Sequence, residues 1–141
     1  MQPEIRIKVL DIDEDDSDFT KFRIYFSNSM ISASFEFCNY LDCFDDFSKK
    51  LQAFPVDIKD TIVFQLGENS EKWAYYMFLE INCEPNGSST MHVKLDNNKQ
   101  DYDLIRTEFY IKTLPASLNK FGQILSSWKP KERKEVVWVS D

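Results

Sequence analysis

The sequence predicts an α+β fold, with a mainly antiparallel, curved β-sheet of about seven strands in the order βββαββββα and two helices packed on one side. Three observations predict it. Seven segments either alternate apolar with polar residues, the period at which strand side chains point to opposite faces, or cluster β-branched and aromatic ones. Two further segments space their apolar residues three and four apart, which lines one face of a helix. Strands and helices do not alternate one by one, so a doubly wound parallel sheet is excluded.

Ile5, Ile7 and Val9 alternate with Arg6 and Lys8, marking a first strand from Glu4 to Ile12. Phe22, Ile24 and Phe26 repeat the pattern, and Ile31, Ala33, Phe35 and Phe37 resume it after the polar turn Ser27-Asn28-Ser29. The period then changes. Leu41, Phe44, Phe47, Leu51 and Phe54 predict a helix over about 41–53, which Pro55 stops. Thr61 to Leu66 is a short strand, and Gly67 to Ser70 a turn. From Lys72 to Cys83 both faces are apolar in part, with Trp73, Tyr75, Met77, Leu79 and Ile81 on one and Ala74, Tyr76 and Phe78 on the other, so this strand belongs in the middle of a sheet. Asn86-Gly87 supplies hairpin chemistry before Met91, Val93 and Leu95. A last predicted strand runs from Tyr102 to Lys112, with Ile105, Phe109 and Ile111 toward the core. Leu114, Leu118, Phe121, Leu125 and Trp128 make the second helix, opened by Pro115 and ending near Ser127. Residues 1–128 thus read as a single domain. Residues 129–141 form a tail whose Val136 to Val139 is either an edge strand or mobile.

Charge narrows the partner. Lysine and arginine total 17 against 24 acids, a net charge of −7, which argues against a nucleic-acid partner because such proteins need a basic face to displace phosphate counterions. The only glycines, Gly67, Gly87 and Gly122, lie too far apart to cradle a phosphate. Cys38, Cys43 and Cys83 are an odd set without a disulfide pattern. The first residues are acidic rather than basic and apolar, and no apolar run approaches the ~18 residues needed to span a bilayer. A cytoplasmic protein with no membrane partner is expected.

His92 is the only histidine, and its alternation with Met91 and Val93 places it on a wet face rather than in a nucleophile motif. Cys38 and Cys43 have ligand-like spacing, but Cys83 and His92 are too widely separated to complete a zinc knuckle. Asp11, Asp13 and Asp15 imitate a calcium loop, yet Asp16 stands where that loop needs glycine and Phe22 where it needs glutamate. No catalytic residue, metal or cofactor is therefore assigned. Two surfaces remain as partner-binding candidates. One is the acidic segment with Asp11, Asp13, Glu14, Asp15, Asp16 and Asp18, a solvated loop suited to docking a basic protein. The other is an aromatic face with a charged rim, made of Tyr76, Phe78, Tyr102, Leu104 and Tyr110 with Glu80, Arg106 and Glu108. A curled sheet or a homodimer would instead hide that face.

The layout of an opening strand, an acidic loop, the strand Ile31-Ser-Ala-Ser-Phe-Glu-Phe, the segment Leu41-Asp-Cys-Phe-Asp-Asp-Phe, a four-strand meander and the helix Leu114-Pro-Ala-Ser-Leu-Asn-Lys-Phe-Gly-Gln-Ile-Leu resembles the WapI family of small acidic bacterial immunity proteins. The resemblance covers most of residues 4–128 and carries no residue role. It implies a protein that neutralises a toxin domain, often a nuclease, by binding it. The expectation is thus a non-enzymatic module for a basic protein partner. The alternatives are a structural or regulatory homodimer and a small ligand-binding protein with a pocket between sheet and helices.

Overall fold

The computed structural model describes residues 2–70 and 72–141. Alternation produces the expected strands: β1 (Glu4–Asp13), β2 (Phe19–Ser27), β3 (Ser32–Tyr40), β4 (Thr61–Gly67), β5 (Tyr76–Cys83), β6 (Ser89–Asp96) and β7 (Arg106–Thr113). An eighth, β8 (Glu135–Val139), follows the second helix. The helices are α1 (Asp45–Ala53) and α2 (Pro115–Ser127), with a 3-10 turn at Asp101–Asp103.

The strands form two antiparallel sheets rather than one curved sheet, in the orders β3-β2-β1-β8 and β4-β5-β6-β7. The reason lies in the connection between β3 and β4. Helix α1 intervenes there, so β4 starts a new sheet instead of extending the old one. The tail is an edge strand. Val136 and Trp138 turn inward opposite Ile7 and Ile5 of β1, while Glu135, Val137 and Val139 face out. Each sheet contributes one apolar face to a common core, where Phe26 meets Phe109 (ring centroids 6.1 Å apart) and Phe35 meets Tyr75 (6.0 Å).

The two helices are neighbours. They pack on each other, α1 also touching β4 and α2 touching β8. Phe47 stacks on Phe64 at 4.4 Å, and Phe121 on Trp138 at 5.0 Å. Asn119 of α2 donates its side-chain N–H to the carbonyl oxygens of Leu51 and Phe54, both 2.7 Å away, and so ties the end of α1 to α2, where the Leu51 carbonyl also accepts the Phe54 N–H. In strand order and helix placement the halves match: each helix leaves the far edge of one sheet and reaches an edge strand of the other. No sequence repeat announces this.

Several boundaries differ from expectation. Leu41 to Phe44 form a turn, closed by the Cys43 N–H on the Tyr40 carbonyl (3.1 Å), and the helix starts only at Asp45. Trp73 is not in a strand, because its N–H donates to the Ser70 carbonyl at 3.0 Å in a turn before β5. Ile105 is exposed ahead of β7 rather than in the core, and Ile31 sits at the exposed tip between β2 and β3. Among the described residues, no helix is long and apolar enough to cross a membrane.

Candidate functional site

The acids of the first hairpin are divided. Asp11 and Asp13 belong to β1, paired with Lys21 and Phe19, because the strand runs past the expected loop start. Only Glu14, Asp15, Asp16 and Asp18 stand in the tight polar turn. Asp16 N–H donates to the Asp13 carbonyl (3.1 Å), Phe19 N–H to the Asp16 carbonyl (2.9 Å), and Ser17 and Asp18 adopt positive φ of 54° and 60°. Asp11, Asp13, Glu14, Asp15 and Asp16 are exposed, whereas half-buried Asp18 accepts the Lys131 ammonium at 3.0 Å. Strand register then adds acids that sequence reasoning missed. Phe19 pairs with Tyr40, so the β1–β2 turn comes beside the segment that follows β3, where Asp42 in the turn and Asp45 and Asp46 at the start of α1 are exposed. Asp18, Asp42 and Asp45 line one cleft of ≈ 580 Å³, with Tyr40, Leu41 and Pro130. The segment Leu41-Asp-Cys-Phe-Asp-Asp-Phe held the signal, but its apolar stripe drew attention away from its carboxylates.

Tyr40 also walls a second, more apolar groove of ≈ 540 Å³, lined by Phe19, Lys21, Glu36, Phe37, Cys38, Asn39, Trp73, Ala74 and Tyr75. Phe19 and Tyr40 meet edge to face, with centroids 5.4 Å apart and planes at 72°. Phe19, Tyr40 and Trp73 are exposed by 37%, 53% and 48%, a concentration of large rings on an open rim. Gly67 lies against Tyr75, one of the lining residues. Its φ is +71°, and a Cβ there would stand 2.0 Å from the Tyr75 carbonyl oxygen, so only glycine lets the chain return to that point. Tyr75 is anchored by Asn39, which donates to its hydroxyl at 2.9 Å, and burial raises the Tyr75 phenol above its ordinary pKa. The Trp73 carbonyl accepts from the Asn98 amide at 3.0 Å. Lys21 lies 3.5 Å from Glu36, which offsets its charge.

The second sheet carries the aromatic candidates on its outer face, although not all of them. Register aligns Glu80, His92 and Tyr110 in one row and Phe78, Lys94 and Glu108 in the next. Tyr76 and Phe78 are half-buried, and Tyr110 is exposed. His92 stacks on Tyr110 (4.4 Å, 8°) and lies 2.5 Å from a Glu108 carboxylate oxygen, while the Lys94 ammonium sits 5.6 Å from the Phe78 ring centroid. Arg106 donates to buried Asp96 at 2.9 Å. Tyr102 and Leu104 are exposed off the sheet, on the 3-10 turn and at its end, because β7 starts only at Arg106. The acidic turn and the aromatic face are thus built on different sheets.

Cys38 is exposed in the apolar groove. Cys43 lies against the core, and burial, reinforced by the Asp42 carboxylate, pushes its thiol far up. Among the described residues, no group of three or more histidine, cysteine, aspartate or glutamate side chains is arranged to hold a metal ion.

No family model matches the chain, and no curated protein matches it. Among solved structures, the chain is similar to one titled "Structure of the plant transcriptional regulator PBF-2", with a TM-score of 0.49 and 10% identity over 93% of this chain and 85% of that one.

Proposed function

We propose that the protein is a non-enzymatic binding module that captures a cationic protein in the cytoplasm, acting as an immunity-type protein that masks a toxin domain. The observation that carries this reading is a single open cleft where Asp18 of the β1–β2 turn, itself paired with Lys131, meets Asp42 and Asp45 from the segment after β3. A domain that handles phosphate builds its own site cationic. Opposite potentials speed the encounter, and the docked acidic surface then occludes that site.

The test is site-specific photocrosslinking from Asp15 and Asp42, with Tyr110 as the control position, followed by kinetics on the captured protein. The expected result is a basic partner crosslinked from 15 and 42, with an association rate that falls as salt rises. A partner crosslinked only from 110, or a rate indifferent to salt, overturns the reading. A second reading, a homodimer, is favoured by exposed Tyr110 with half-buried Tyr76 and Phe78 on the outer face of the second sheet. Sedimentation across concentration separates the two, since a persistent monomer rejects the dimer.

A further inference from the structure

We infer that the partner enters as a cationic segment bearing one large apolar side chain, which seats between Phe19, Tyr40 and Trp73 while its lysines or arginines face the neighbouring carboxylates. This rests on the proposed function and adds the chemistry of the bound segment. Tyr40 is the hinge of the argument, because it lines both the apolar groove and the acidic cleft. An extended segment laid across Tyr40 therefore meets rings on one side and Asp18, Asp42 and Asp45 on the other. Neither half suffices alone: a neutral apolar ligand leaves the carboxylates unused, and an acidic segment is repelled by them.

The groove is also formed in advance. Phe19 braces Tyr40 edge to face, and Trp73 is held at both backbone groups, its N–H by Ser70 and its carbonyl by Asn98. Binding then costs little ordering of the receptor backbone. Tryptophan and tyrosine at the centre of a contact, with charges around it, are the residue types that dominate binding energy.

A random peptide library displayed on phage and panned against the full chain tests this. Enriched peptides should carry one large apolar residue with lysine or arginine close by. Synthesised, they should bind about thirtyfold more weakly to Tyr40→Ala or Trp73→Ala, both exposed positions whose variants are checked for unchanged circular dichroism. A bulky maleimide on Cys38, placed in a Cys83→Ser background, should block them as well, and Asp42→Asn with Asp45→Asn should weaken them. Cationic peptides lacking an apolar position and indifferent to Trp73→Ala would overturn the groove while leaving the acidic surface standing. Apolar peptides without positive charge would overturn the inference and the cationic-partner reading together. Absence of enrichment would overturn the inference alone, since the crosslinking experiment reads the partner independently.

Discussion

Gly122 of α2 rests directly on Ser48 of α1: a Cβ atom at position 122 would stand 2.8 Å from the Ser48 carbonyl oxygen and 2.9 Å from the Gln52 backbone nitrogen. Backbone atoms cannot swing aside as a flexible side chain can, so the helix pair is set at a spacing that only glycine permits. Gly122→Ala is expected to lower stability by about 1–3 kcal/mol, the usual penalty for overpacking, despite the higher helix propensity of alanine. Urea unfolding should show a lower midpoint at unchanged slope.

Trp138 joins the tail to the core. It is buried, stacks on Phe121, and donates its indole N–H to the Ser117 carbonyl at 2.9 Å. Trp138→Ala should cost about 3–5 kcal/mol, the range for a truncated core aromatic. Trp138→Phe should cost less but leave the Ser117 carbonyl without its donor. Thermal denaturation of both variants checks the order.

The three thiols should separate by reactivity. Cys38 is exposed, whereas burial holds the Cys43 thiol protonated far above the ordinary cysteine range. In native protein a maleimide should label Cys38 first and leave Cys43 unlabelled until urea is added, as peptide mass mapping would report. Prompt labelling of Cys43 would contradict its packing.

Alkaline pH should weaken the fold through two groups. Burial raises the pKa of Tyr75 above 10.0 and of Cys43 above 9.0, so the folded state holds both protons more tightly than the unfolded chain. Their contribution is complete below the unfolded values and is lost as pH rises through the folded ones. Unfolding free energy should therefore fall from about pH 9 upward. Tyr75→Phe should be offset at every pH by the lost Asn39 hydrogen bond, yet decline less steeply.

The readable and unreadable parts of this chain divide along a physical line. Helix α2 was legible because its start is fixed by Pro115 and its inward stripe by Leu118, Phe121 and Leu125, all local facts, although Leu114, expected in that stripe, is the exposed cap residue. The inward rows of β5 and β6 were legible for the same reason. The start of α1 was not, because Leu41 and Phe44 fit a turn as well as they fit a helix stripe. Alternation also says which way a side chain points but not which strand lies next door, so two sheets were read as one. The site followed the same rule. The acids of Asp11 to Asp18 are visible as a run, while their union with Asp42 and Asp45 depends on the pairing of Phe19 with Tyr40, a long-range register that no local pattern encodes.

The pairing of Ile5 with Trp138 and of Ile7 with Val136 couples two strands separated in sequence by both helices and the whole second sheet. Until residues 135–139 are in place, β1 lacks one of its two neighbours and keeps an open edge. The first sheet therefore closes through a pairing of very long sequence separation, the kind of contact that forms slowly because a long loop must be ordered before it is rewarded.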